Sequence, residues 1–426
     1  MILRWFISQD FRNAVAMQKH VRRLLGAQRD ILAPAALENL NRALAEFDAA
    51  LRSGAKKALL QKEVDKLEQA ANKWLKPYPN AGVRENVEVL LVALTVAMAV
   101  RTFFMQPFKI PTGSMQPTLF GVTSTPDFGK INYYQADKQN ERAELFEQIR
   151  LRDALQIPTG WARVKDWFAG NSYVHITAPA DGVIDSISAP TKFLIFNIKQ
   201  TISIGGVEQT IWFPPDYGES DLARRAGLQV GSEGHYFHKG DEVVKIKVSA
   251  GDHLFVNRLT YNFRKPERGE IVVFETKGIS ETARRLNNIP DDQFWIKRLV
   301  VLPGERVQIG DDRHLVINGE RLDASTPHFG RVYGFNPNDP PHESQFSGHV
   351  NGTVDSEFNL IPNLAPLFPD AQTVYTNPDD SYMVMGDNTC NSLDSRAWGS
   401  FKTESVIGKS FFVYWPITSR FGWGNE

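Results

Sequence analysis

The chain holds one cysteine, Cys390, in 426 residues, which excludes an intramolecular disulfide and a cysteine-based metal cluster. It has no basic excess either. With 48 Lys and Arg against 49 Asp and Glu the net charge is −1, which argues against a nucleic-acid binder. No uncharged apolar run reaches the ~20 residues that cross a bilayer; the main candidate runs only from Val89 to Val100. There is no G-x-S-x-G elbow, and none of the nine histidines lies in a segment suggesting a catalytic triad. The opening "MILRWFISQDFRNAV" carries Asp10 and lacks a long apolar stretch, so it does not read as a cleavable leader.

What is present is an ordinary globular balance, 23% charged and 42% apolar, in a chain long enough for two or three domains. Charge is unevenly placed: Met1 to Arg84 is basic by about +7, and the remainder is correspondingly acidic. Residues 10–76 are rich in Ala, Leu, Lys, Arg and Glu. "PAALENLNRALAEFDAALRSGAKKALLQKEVDKLEQAANKWL" spaces leucine and alanine at helical intervals and predicts a helical hairpin broken at Gly54, with a coiled-coil docking site as the alternative. "VEVLLVALTVAMAVRTFFMQPF" follows. Glu88 and Arg101 flank its core and can snorkel, and Phe103, Phe104 and Met105 extend it to a membrane span, the alternative being a buried core helix. Beyond a charged helical segment after Asn132, short runs such as "YVHITAPADGVIDSIS", "DEVVKIKV", "EIVVFET" and "FWIKRLVVLPGERVQI" alternate apolar and polar residues between Gly, Pro and Asp turns. Residues 325–372, rich in Pro, Asn, Asp and His, read as a long surface excursion. The fold class is therefore mainly β, an antiparallel sheet behind a helical, membrane-anchored N-terminus.

Serine chemistry needs a base, because a hydroxyl cannot attack an amide while it keeps its proton. "KIPTGSMQPTL" offers Ser114, and "QFWIKRLVVLPGE" offers a lysine in an apolar strand. Lys297 alternates onto the same face as Trp295 and Leu299, where desolvation would lower its pKa. Arg298 is expected to point the other way, toward solvent. Singly, Ser114 reads as a turn residue, Lys297 as an edge residue, and "MGDNTCNSLDSRAWG" as a hydrogen-bonded loop with an Asp394–Arg396 ion pair.

Together, "PTGSMQPTL", "WIKRLVVLPGE" and "GDNTCNSLDSR", in that order after an apolar helix, resemble the bacterial type I signal peptidases. "GDHLFVNRLTYNFRKPERGEIVVF" is similar to that family's intervening box. The resemblance spans about 100–120, 250–320 and 380–416. It implies a membrane-bound serine endopeptidase that cleaves signal peptides from exported preproteins after small residues, through an acyl-enzyme and without a cofactor. Ser114 would be the nucleophile and Lys297 the general base. The oxyanion would be held by the Ser114 N–H and the Thr112 hydroxyl. Ser392 would orient the lysine amine, with Asp387, Asp394 and Arg396 in support. Ile110, Pro111, Met115, Leu119 and Ile296 would wall the first substrate pocket, and Phe108, Ile110 and Ile296 the third, an extended peptide adding as a strand beside the segment leading to Ser114. Thr389 and Cys390 depart from the commoner family pattern, which leaves the outer bonds of that loop open.

The resemblance implies a cytoplasmic helical region over 1–84, a single transmembrane helix over 85–107, and a catalytic β domain built from 108–120 and 251–426. That domain would lie outside the bacterial inner membrane. Residues 121–250 would be an inserted accessory α/β region; "VHITAPADGVIDSI" and "HKGDEVVKIKVSAGD" look like halves of a biotinyl- or lipoyl-type sandwich, with no lysine in a modification hairpin. "HYFH", His235–His238, lacks a carboxylate partner for a metal, so no metal is expected. Phe411, Phe412, Trp415, Phe421 and Trp423 could meet the membrane interface. Expected partners are signal peptides, the lipid bilayer and the secretion machinery, with no nucleic acid. Competing readings are a LexA-like self-cleaving protease and a catalytically degenerate envelope protein acting as a binding scaffold.

Overall fold

The structure is a computed structural model that describes residues 9–53, 57–76, 81–130, 138–194, 196–334, 346–357 and 363–423. It divides into two compact units, Met1–Val96 and Ala97–Glu426.

In the first unit, helices α1 (Gln9–Gln28), α2 (Pro34–Ser53) and α3 (Lys57–Trp74) share one core. Leu40, Leu44, Phe47 and Leu51 recur at three- and four-residue steps, so one stripe of α2 is buried against Phe11, Leu25 and Leu67. The expected hairpin is α2–α3, and α1 joins it as a third helix. The expected break at Gly54 lies outside the described residues. Gln28 ties the bundle's end by donating to Lys76 O (2.8 Å) and accepting from Lys76 N (2.9 Å).

Helix α4 spans Ala81–Phe103. Among the described residues it is the one helix long and apolar enough to cross a membrane, over Gly82–Phe103, with mean hydropathy 1.6 and none of that stretch buried. A core helix would bury at least one face, so the core-helix alternative finds no support. The helix ends four residues short of the expected 107. Pro107 has no N–H to give a helix, and Met105 and Gln106 pair instead with Asn257 and Val256.

The second unit is organised by an antiparallel sheet, eight-stranded among the described residues. Its strands are β1 (Met105–Lys109), β2 (His253–Asn257), β3 (Ile271–Glu275), β4 (Phe294–Val301), β5 (Ser381–Met385), β6 (Phe401–Lys402), β7 (Val406–Trp415) and β8 (Gly422–Trp423). They lie in the order β1-β2-β7-β3-β4-β5-β6, with β8 on β7. Central strands β3, β4 and β5 carry nearly unbroken apolar runs because both faces are covered. On one face Val272, Phe274, Leu299 and Val384 pack on Trp398 and Phe401. On the other, Val300, Met383 and Met385 pack on Phe329, Val332 and Phe368. Those last three belong to the segment expected to be a surface excursion. Its described parts are instead the second cover of the sheet; the Pro- and Asn-rich residues 335–345 lie outside the described residues.

The insertion builds two antiparallel sheets over one core. Thr123–Thr125, Asn171–Thr177 and Glu242–Ser249 form the first, and Ile184–Ile187, Thr191–Phe193, Phe196–Ile204 and Val207–Trp212 the second. Ile176, Ile184, Ile202, Ile204, Val244 and Ile246 fill the space between. Its two ends are stapled together, Asp252 N donating to Phe120 O (2.7 Å) and Phe120 N to Asp252 Oδ2 (2.8 Å). The insertion therefore leaves and rejoins the eight-stranded sheet's domain at one point, immediately after the turn that carries Ser114.

Candidate active site

Beyond β1 the chain turns tightly, with Gln116 N donating to Gly113 O and Leu119 N to Met115 O. Ile110, Met115 and Leu119 are fully buried with Leu254, Val256 and Val273, and these apolar anchors fix the turn from below. Ser114 sits within this turn, itself buried. β4 delivers Lys297 from the centre of the sheet, and its Nζ donates to Ser114 Oγ (2.8 Å) and to Ile296 O (3.2 Å). The amine lies 5.7 Å from the Trp295 ring, on the face that strand alternation assigns. Burial pushes the ammonium down to about 8, against the opposing pull of the Asp394, Glu219 and Asp387 carboxylates. Thr112 Oγ1 is 3.4 Å from Ser114 Oγ.

The loop after β5 closes the site. Gly386 has to be glycine: a Cβ there would collide with the Ser392 side chain and with the Ser114 carbonyl. Asn388 makes two bonds to the Ser114 turn, Nδ2 to Gly113 O (3.0 Å) and backbone N to Ser114 O (3.1 Å). The first matters chemically. Gly113 C=O and Ser114 N–H belong to one planar trans peptide and point in opposite directions, so pinning the carbonyl aims the N–H. Asn388 is thus a positioning residue for the Ser114 N–H. Asn388→Ala is expected to lower kcat about 10- to 100-fold with KM nearly unchanged; steady-state kinetics giving a parental kcat would refute the role.

Arg298 corrects the expectation that it faces solvent. It is 0% exposed, donating to Asp387 through Nε (2.8 Å) and Nη2 (2.7 Å) and to Gly269 O through Nη1 (2.6 Å). Thr118 Oγ1 donates to the same carboxylate, tying the Ser114 turn to it. A second buried pair stands beside the first, Arg396 gripping Asp394 through Nε and Nη2, each at 2.9 Å. Burial alone would raise the Asp394 carboxyl; the Arg396 guanidinium outweighs it and holds it below its ordinary value. Thr389 is absorbed into this network, its Oγ1 accepting from Arg396 Nη1 (2.7 Å) and from Val350 N (2.9 Å), and Cys390 is buried. Ser392 Oγ is buried near the Asp394 carboxylate without a hydrogen bond of good geometry, and the amine of Lys297 bonds Ser114 and Ile296 rather than Ser392.

Of the expected pocket residues, Phe108, Ile110, Met115, Leu119 and Ile296 share one apolar cluster. Ile110, Met115 and Leu119 lie beneath its surface, while Phe108 and Ile296 are half-buried and Pro111 is exposed outside it. Phe294, which sequence reasoning passed over, sets its ring edge against Phe108 at 5.7 Å between centroids. Thr118, Arg298 and Asn388 were also missed. Only Asn388 had a local signal, its place in the glycine-bearing loop; the others are defined by partners far away in sequence.

Comparison with known proteins gives an independent result. The family model described as "Signal peptidase, peptidase S26" matches residues 83–124 and 232–415, just over half of the chain, and leaves most of the insertion unmatched. A probable signal peptidase I-2 of Synechocystis sp. is 29% identical over 166 residues, 39% of this chain and 56% of that protein. Signal peptidase I of Leptolyngbya laminosa is 28% identical over 171 residues, 40% and 63% respectively. The chain thus spans less than two thirds of the length of these two relatives. A crystal structure of a signal peptidase I from Enterococcus faecalis V583 aligns over 34% of this chain and 97% of that one, with 29% identity and a TM-score of 0.20. The matched residues hold Ser114 and Lys297 and cover just over half of the chain, so by its sequence this chain belongs to the signal peptidase, peptidase S26, family.

Proposed function

We propose that this chain is a membrane-anchored endopeptidase that removes signal peptides by a Ser114 nucleophile and a Lys297 general base. The observation that carries the reading is the buried amine of Lys297, 2.8 Å from Ser114 Oγ with its pKa depressed to about 8. Neutral Lys297 takes the hydroxyl proton as Ser114 attacks the scissile carbonyl, returns it to the leaving amine, and then activates the deacylating water. The Ser114 N–H and the Thr112 hydroxyl receive the oxyanion. An extended substrate adds at the outer edge of β1, and Phe108 and Ile296 leave room for alanine-sized side chains before the scissile bond. Helix α4 anchors the protein as a single pass, its basic N-terminal side cytoplasmic and its catalytic sheet beyond the membrane. An intact Ser114–Lys297 contact gives the degenerate-scaffold alternative no support.

Detergent-solubilised full chain is expected to cleave a preprotein after an Ala-x-Ala site and to spare the same preprotein with phenylalanine in place of the last alanine. Equal processing of both would overturn the specificity. The pH profile carries its own sign. Only the neutral amine is a base, so kcat/KM should rise with pH through about 8 and then level off. A maximum in acid would rule out a lysine base.

A further inference from the structure

One short strap of the inserted region, Pro214 to Glu219, lies against the chain on either side of the Ser114 turn. Tyr217 fixes it from within. Its ring is buried in the insertion's own core, and its carbonyl accepts from Arg225 Nε (2.8 Å). Arg225 is itself buried, pairing with Asp127 (2.9 Å) and donating to Val122 O (3.2 Å). Asn197 Nδ2 holds the start of the strap through the carbonyls of Pro214 and Pro215.

Held in this way, the strap makes two contacts with the chain that leads to the nucleophile. Asp216 forms an ion pair with Lys109, the last residue of β1. Gly218 lies against the Pro111 carbonyl and Val122, where a Cβ would come within 3.0 Å of each, and its φ of +73° suits glycine. Asp216 is neutralised by its partner. Glu219, the next residue after Gly218, is exposed and has no ion pair among the described residues; it is one of the carboxylates whose charge reaches Lys297. The strap therefore brings one uncompensated negative charge from a part of the chain that the family match leaves out.

We propose that this strap is a specificity-determining wall of the peptide groove, in which Glu219 favours substrates with basic rather than acidic residues flanking the scissile bond. The inference rests on the peptidase reading above. A carboxylate carried on a held backbone beside the groove attracts a substrate ammonium and repels a substrate carboxylate, so it discriminates by attraction and repulsion together. With partial screening by water that difference is expected to be about tenfold.

The test uses the full chain in detergent and a series of Ala-x-Ala peptides carrying Lys, Gln or Glu at one position at a time on either side of the scissile bond. The parent is expected to prefer Lys over Glu by about tenfold in kcat/KM at one or more positions. Glu219→Gln should level that ratio and Glu219→Lys invert it. A second readout separates charge from shape: removing the carboxylate removes a charge that favours the Lys297 ammonium, so the acid limb of the Glu219→Gln pH profile should move to lower pH. A parent without charge preference, or a Glu219→Lys protein keeping the parental preference, overturns the inference. Failure of the peptidase reading looks different, since the parent would then cleave no peptide of the series, and both readings would fall together.

Discussion

Lys297→Ala is expected to lower signal-peptide cleavage about 10⁴-fold or more, as is Ser114→Ala, and the double variant should be scarcely worse than either, because the two act as one unit. The informative variant is Lys297→Arg. It keeps the positive charge and much of the length, but a guanidinium does not release its proton near neutral pH and cannot serve as a base. It should be as inactive as the alanine variant; activity retained in Lys297→Arg would mean that the residue acts by charge alone. A stability measurement complements the kinetics. Below about pH 8 the folded protein holds a buried ammonium that the unfolded chain would hydrate freely. Between about 8 and the ordinary lysine value the unfolded chain binds more protons than the folded one, so this group makes stability rise with pH over that window. Lys297→Met removes the desolvated charge and is expected to stabilise the inactive protein at pH 7 by about 2 kcal/mol, seen as a higher Tm. A lower Tm would indicate that the amine is better solvated than its burial suggests.

The sequence made the strands, the apolar helix and the Ser114–Lys297 pairing legible for different reasons. Strand alternation placed Lys297 among Trp295 and Leu299 correctly because that face of β4 packs on a core made of nearby strands. The same alternation sent Arg298 to solvent, and there it failed. Alternation says only that two neighbours face opposite ways; it does not say whether the second face is covered. The cover comes from Phe329, Val332 and Phe368, in a segment whose Pro, Asn, Asp and His content looked like a surface excursion. Phe329 lies 5.8 Å from the Arg298 guanidinium, so both misreadings have a single cause. Asn388 illustrates a further limit, since its role depends on a peptide 275 residues earlier that no local pattern connects to it. The end of α4 was misplaced by four residues because hydropathy counts Met105 as apolar without registering that it is a strand partner of Asn257.

Asp387→Ala is expected to cause a large loss of stability in the unit that carries Ser114 and Lys297. It would leave Arg298 charged, fully buried and deprived of two of its hydrogen bonds, and Thr118 without its acceptor. Breaking a buried pair from one side typically costs about 3–5 kcal/mol, which for a unit of this size corresponds to a Tm lower by about 10 °C. Replacing both partners, as in Arg298→Met with Asp387→Leu, is expected to recover most of that stability, because paired burial of charge is itself costly. Activity should not recover with it. The Asp387 carboxylate accepts from Thr118 four residues beyond Ser114, and the loop that carries Asp387 also carries Asn388. The pair is therefore expected to fix the Ser114 turn on the sheet that presents Lys297, more than to stabilise the fold. Thermal melts and single-turnover cleavage on the same three proteins separate the two roles. A double variant that regains both stability and parental cleavage would show that apolar packing alone can hold Ser114 in place.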